Sequence, residues 1–144
     1  MSEAQQLFTA YQDTGEILVI DDDTSSLFLI KDLLTSMGMG TKVTTASTAQ
    51  DALDILASRR GTNRFPELLL LDIKMPDMDG FGFLERLHQL NLPRHTEPKI
   101  VVLSYYGNRM YQERAQELGV SAYLRKPLTR EKVLDIIGLR SYSN

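Results

Sequence analysis

Asp21, Asp22, Asp23, Asp72, Ser104 and Lys126 are the side chains of this sequence best suited to joint chemistry. Asp72 ends the apolar run Leu68–Leu71 and precedes a turn-forming stretch with Pro76, Asp77, Asp79 and Gly80. The triplet Asp21-Asp22-Asp23 ends a second apolar run, Ile17–Ile20. Carboxylates crowded together repel one another, so such a group needs a raised pKa or a cation. An all-oxygen donor set without His or Cys suits magnesium, with manganese as a substitute, rather than zinc. Lys126 offers a point charge for a phosphate oxygen and Ser104 a neutral donor. Together they outline a pocket for a phosphoryl group on a carboxylate. Asp72 is the nucleophile that forms an acyl phosphate. Asp22, with Asp21 alongside, holds the metal that screens charge during transfer. Lys126 and Ser104 grip the oxygens of the product. Read alone, Asp72 is equally an Asp that caps a loop.

Strand ends must position these groups. Ile17–Ile20, Leu68–Leu71 and Lys99–Ser104 are short apolar runs that suit strands buried on both faces of a parallel sheet. Residues 42–46 alternate weakly and are β-branched, a strand toward an edge. Ala122–Arg125 is a short strand that runs straight into Lys126-Pro127. Thr24 or Ser25 is expected to cap a helix with Phe28, Ile30, Leu33, Leu34 and Met37 at its apolar positions, ended by Gly38 and Gly40. Ser47-Thr48-Ala49-Gln50 reads as a capping box before a helix carrying Ala52, Leu53, Ile55 and Leu56. Residues 81–90 place Phe81, Phe83, Leu84, Leu87 and Leu90 on one face, and 108–118 form a polar helix with Met110, Ala115 and Leu118 inward. Thr129 caps a last helix with apolar Val133, Leu134, Ile136 and Ile137.

Strand and helix alternate without a repeat or a break, which predicts one α/β domain, doubly wound around a parallel sheet. Right-handed crossovers bring every strand's carboxyl end to one rim, where open α/β sheets bind their ligands. The domain is expected over residues 16–140, with tails at 1–15 and 141–144.

The 144 residues suffice for one domain with a real core. Composition is ordinary for a globular protein, 42% hydrophobic and 24% charged. A net charge of -3 without a basic block argues against nucleic-acid binding. With no Cys there is neither a disulfide framework nor a thiolate metal site. The first residues lack the layout of a signal peptide, and no apolar run reaches the ~20 residues of a membrane span. A cytoplasmic protein without a membrane segment is expected.

The motifs ILVIDDD (17–23), LLLDIKMPDMDG (69–80), VVLS (101–104) and YLRKP (123–127), in this order and at these separations, resemble a receiver domain of a two-component response regulator. The resemblance covers about residues 16–138 and points to the single-domain, chemotaxis-regulator-like kind, with no effector domain expected. It implies a flavodoxin-like, five-stranded sheet of order 2-1-3-4-5 with five flanking helices. It further implies Asp72 as phosphoacceptor, Asp21 and Asp22 as the acidic pair, and Lys74 contributing its backbone carbonyl to the metal. Lys126-Pro127 would be a cis peptide. A sensor histidine kinase or histidine phosphotransfer protein would supply the phosphoryl group. Ser104 and Tyr123 would then switch the surface of the fourth helix, fifth strand and fifth helix toward a downstream protein target. Such a chain is a regulatory phosphoacceptor rather than an enzyme, limited to self-phosphorylation and autodephosphorylation, and is a monomer or a phosphorylation-dependent dimer.

One departure stands out. Tyr105, followed by Tyr106, occupies the position after the strand-four hydroxyl, which is small in receivers. A ring there could block hydrolytic water, giving a long-lived phospho-Asp72, or block small phosphodonors. Lys74 could add a second positive charge or be a solvated loop lysine. Asp23 reads as a helix-start charge rather than a ligand, and His88 and His95 lie outside the chemistry. Other readings are a degenerate receiver that serves as a binding module and an aspartyl-nucleophile phosphatase of the haloacid dehalogenase kind. The phosphatase wants a carboxylate where Lys74 stands. A flavin domain of similar topology is discarded, since no phosphate-binding loop follows the first strand.

Overall fold

The computed structural model describes residues 15–142. The expected tails fall mostly on 1–14 and 143–144, which lie outside the described residues. In chain order the elements are β1 (Ile17–Ile20), α1 (Thr24–Ser36), β2 (Val43–Ala46), α2 (Ala49–Arg59), β3 (Leu68–Leu71), α3 (Gly80–His88), β4 (Lys99–Ser104), α4 (Arg109–Glu117), β5 (Ala122–Arg125) and α5 (Arg130–Tyr142). Two short 3-10 turns, Gly40–Lys42 and Arg94–Thr96, lead into β2 and β4. The five strands form one parallel sheet in the order β2-β1-β3-β4-β5.

Apolar residues run unbroken through β1 and β3 because both faces of those strands are covered. Ile17, Val19, Leu68 and Leu70 pack with Leu27, Ile30 and Leu34 of α1 and Val133 and Ile136 of α5. The alternate residues Leu18, Ile20, Leu69 and Leu71 pack on the other face with Ala52 and Leu56 of α2 and Phe83, Leu84 and Leu87 of α3. A third cluster joins Val102 to Ile73, Phe81 and Ala115, and holds α4. Among the described residues, no helix is long and apolar enough to cross a membrane.

Several local expectations need correction. Asp23, not Thr24 or Ser25, caps α1: its carboxylate accepts the N–H groups of Ser25 and Ser26. The helix begins one residue early because the aspartate satisfies two of its orphan donors. Phe28 is 69% exposed, while Leu27 takes the inward position beside Ile30 and Leu34. Thr48 rather than Ser47 caps α2, accepting from Asp51 N–H, and the Gln50 side chain donates to Asp54 instead of folding back. Met110 is 75% exposed because α4 turns Ala115 inward, not its first turn.

Candidate functional site

The strand order creates the site. Helix α1 after β1 and helix α3 after β3 lie on opposite faces of adjacent strands, so the chain leaves a crevice between their carboxyl ends. Ile20 pairs in register with Leu71, so the next residues, Asp21 and Asp72, stand side by side. Asp72 N–H donates to the Ile20 carbonyl at 2.9 Å and ties the two ends together. Strand β4 runs two residues past the register of Leu71 with Val102, which raises Ser104 beside this pair. Ser104 is in register with Arg125, and Lys126 N–H donates to the Ser104 carbonyl. The Lys126-Pro127 peptide bond is cis.

Asp21, Asp72, Ser104 and Lys126 are the buried polar residues among those described, with Lys126 only 7% exposed. The Lys126 ammonium donates to Asp21 Oδ2 at 2.6 Å, Asp72 Oδ2 at 3.0 Å and Ser26 Oγ at 3.2 Å. A buried cation thus bridges the two buried carboxylates. Asp21 Oδ1 accepts Asp23 N–H, and Asp72 Oδ1 accepts Lys74 N–H at 3.2 Å. Asp22 is exposed at the edge of the group.

Burial raises the pKa of Asp72; the Lys126 hydrogen bond opposes this, and the charge of Asp21 adds to it. Burial alone would lower Lys126, but its hydrogen bonds to Asp21 and Asp72 outweigh that and raise its pKa. The crowding of the two buried carboxylates is met by a raised Asp72 and by the buried Lys126 ammonium between them.

Asp21, Asp22 and Asp72 each place a carboxylate oxygen so that all three lie within 4.8 Å of one another. An all-oxygen acidic cluster of this size fits a hard divalent cation.

The loop after β4 contributes more than its sequence suggested. Ser104 Oγ accepts the N–H of Tyr106 at 3.1 Å, and the Tyr106 carbonyl accepts the hydroxyl of half-buried Tyr123. Burial raises the Tyr123 phenol, partly offset by hydrogen bonding with Ser104. Lys74 is exposed, and its ammonium sits 5.1 Å from the Tyr106 ring centroid and 4.8 Å from that of Tyr111. Hydrogen bonding with Tyr111 raises its pKa. The Tyr105 ring lies 5.2 Å from the Lys126 ammonium. Tyr106 and Tyr111 are thus residues that the sequence reading gave no role. Their signal was a set of aromatics following the strand-four hydroxyl in an otherwise polar stretch. Ser26 also went unassigned, because a serine in a helix's first turn reads as a cap.

Other residues fall outside this group. His88 Nε2 lies 2.7 Å from the Leu118 carbonyl, linking α3 to the end of α4 at the opposite rim. His95 lies in the 3-10 turn before β4. Gly80 belongs to the site's support: a Cβ there would stand 2.7 Å from Ile73 Cα and 2.8 Å from the Asp72 carbonyl, so only glycine lets α3 start this close.

Fold and site define a doubly wound α/β domain with an acidic, lysine-bridged pocket at its topological switch point. The family model for the response regulator receiver domain matches residues 17–138, and the chain belongs to that family. The probable chemotaxis protein CheY of Rhizobium etli is 31% identical over 118 residues, 82% of this chain and 85% of that protein. The chemotaxis protein CheY of Treponema pallidum is 33% identical, covering 84% of this chain and 78% of its own. The chain also matches plant two-component response regulators such as ARR10 of Arabidopsis thaliana, of whose length it spans 20%. A CheY-like receiver domain protein from Methanospirillum hungatei superposes with a TM-score of 0.71 at 31% identity, over 90% of this chain and 96% of that one. Two-component signalling is therefore the setting of this protein.

Proposed function

We propose that this chain is a working phosphoacceptor that takes a phosphoryl group onto Asp72 from the phosphohistidine of a sensor histidine kinase or histidine phosphotransfer protein. The observation that carries this reading is the buried Lys126 ammonium, which spans Asp21 and Asp72 at 2.6 and 3.0 Å. It is close enough to move onto phosphate oxygens once Asp72 is phosphorylated. Asp21, Asp22 and Asp72, with the Lys74 backbone carbonyl, would hold magnesium or manganese, which when bound offsets the charge of the transferring phosphoryl group. Asp72 attacks with a carboxylate oxygen, and the Lys74 N–H on Oδ1 orients it. Ser104 turns its hydroxyl to the new phosphate and lets go of the Tyr106 N–H. The loop then re-poses, and Tyr123 with it, which presents the surface of α4, β5 and α5 to a downstream protein. The role is regulatory: the only reactions are loading of Asp72 and hydrolysis of its own acyl phosphate.

Intact mass after incubation with magnesium and acetyl phosphate, beside Asp72→Asn, tests the reading. A phosphoryl adduct that needs both magnesium and Asp72 is expected. Absence of an adduct from acetyl phosphate and also from a phosphorylated histidine protein would leave a binding module in place of a phosphoacceptor.

A further inference from the structure

We propose that Tyr105 is a donor-selecting residue: its ring stacks the imidazole of the incoming phosphohistidine beside Asp72 and so favours imidazole donors over ring-free acyl phosphates. The proposal rests on the phosphoacceptor reading above and names the chemistry by which that site tells donors apart.

Tyr105 follows the buried end of β4, yet the residue is 60% exposed. A large aromatic side chain left in water at a reaction site still has a face to offer. One contact is already made, with the Lys126 ammonium 5.2 Å from the ring centroid. That ammonium is itself 3.0 Å from Asp72 Oδ2, so the ring stands one layer out from the reacting carboxylate. Both neighbours of Tyr105 are tethered: Ser104 lies in the sheet, and Tyr106 gives its N–H to Ser104 Oγ and its carbonyl to Tyr123. In the unphosphorylated chain these bonds restrict the backbone around Tyr105, which lowers the entropy cost of binding the donor. Tyr106 is turned to a different cation, Lys74, and leaves Tyr105 as the ring beside Lys126.

The space that Tyr105 borders also suits a flat ring. It is a shallow cleft lined by Ser26, Leu29 and Ile30 of α1 and by Lys126, Pro127 and Leu128, without a carboxylate among its lining residues. A heteroaromatic ring entering there would meet an aromatic face and the side chains of Leu29 and Ile30, with Lys126, whose ammonium lies 3.0 Å from Asp72 Oδ2, in the wall of the cleft. An acetyl group gains little from the same surroundings.

The reaction balances with either donor. An Asp72 oxygen forms the new O–P bond. From phosphohistidine the P–N bond breaks, its electron pair stays on the imidazole nitrogen, and that nitrogen takes a proton from solvent. From acetyl phosphate the P–O bond breaks and acetate leaves. Only the first leaving group has a ring to stack. Offset stacking of this kind corresponds to about a 2- to 10-fold preference.

The test uses the full chain with magnesium and two small probes, monophosphoimidazole and acetyl phosphate. Initial rates of Asp72 labelling are read by acid quench and intact mass. In Tyr105→Leu the ratio of the phosphoimidazole rate to the acetyl phosphate rate is expected to fall about 2- to 10-fold. In Tyr105→Phe the ratio is expected to stay at the wild-type value. A general disturbance of the site would slow both donors alike and leave the ratio untouched. An unchanged or raised ratio in Tyr105→Leu overturns the proposal, as does an equal fall in Tyr105→Phe. If neither probe labels wild-type Asp72 while a phosphorylated histidine protein does, the ring gives a free imidazole donor no advantage and the proposal falls. If that protein fails as well, the phosphoacceptor reading itself fails, an outcome distinct from a flat ratio on a chain that both probes label.

Discussion

Asp72 sits between opposing demands, since burial and the Asp21 charge favour its neutral form while the Lys126 ammonium favours its carboxylate. The net result is a pKa above the ordinary 3.8, so the folded chain keeps this proton to higher pH than the unfolded chain does. The unfolded state binds fewer protons in that window, and stability falls as pH rises through it. Ionised Asp72 thus costs stability in full above its folded pKa, and the cost is gone below 3.8. Asp72→Asn removes the charge, and its amide oxygen can still accept from Lys126. In metal-free buffer near neutral pH the variant should melt higher than wild type by about 2–4 °C, the shift that ~1 kcal/mol gives in a domain of this size. The gap should close as the pH is lowered toward the ordinary carboxylate range. Magnesium should close it from the other side, raising the wild-type Tm by binding the folded state. Thermal melts of both proteins across pH, with and without magnesium, check this; a gap that ignores pH would mean that Asp72 bears no such strain.

Element boundaries depend on which side chain reaches the orphan N–H groups of a helix, and here sequence alone was ambiguous. Ser47 and Thr48 are both good caps, and Gln50 three residues after Ser47 favoured the former. The structure uses Thr48, whose Oγ1 accepts Asp51 N–H at 3.0 Å and which puts an acidic residue in the first turn. That choice brings both the cap and the dipole term into line. Thr48→Ala should therefore cost about 1 kcal/mol, while Ser47→Ala should stay within about 0.5 kcal/mol. Urea unfolding of the two variants separates the alternatives, and equal losses would argue for a shared cap. The same kind of ambiguity misplaced Phe28. Leu27, Phe28 and Leu29 are consecutive and apolar, so periodicity alone left open which of them faces the sheet. Packing against Ile17, Val19 and Ile30 selects Leu27.

At the scale of the whole molecule, the sheet and its rim were legible because buried strands must be apolar throughout and must stop where polar groups begin. Ile17–Ile20, Leu68–Leu71 and Lys99–Ser104 stand where the sequence placed them, and their ends bring Asp21, Asp72 and Ser104 to one rim. The clamp of Tyr106 and Tyr111 on Lys74 was not legible. It joins the loop after β3 to the loop after β4 and the first turn of α4, through cation–ring contacts that leave no periodic trace. This contrast bears on how the fold would move. Helix α3 buries Gly80, Phe81, Phe83, Leu84 and Leu87, whereas α4 fully buries only Ala115. The exposed large hydrophobics among the described residues, Phe28, Leu29, Tyr105, Tyr106 and Met110, all lie soon after β1 or β4, at the same rim. An element with few buried contacts opens at low cost, so α4 and its loop form the segment poised to respond. Beryllofluoride with magnesium should therefore change amide hydrogen exchange over residues 104–111 and 122–130. Residues 43–65 and 80–100, anchored by Phe83, Leu84 and the His88 contact with the Leu118 carbonyl, should exchange as before. Changes of equal size in α2 and α3 would mean that the domain responds as one body, and that the loop after β4 is not the hinge.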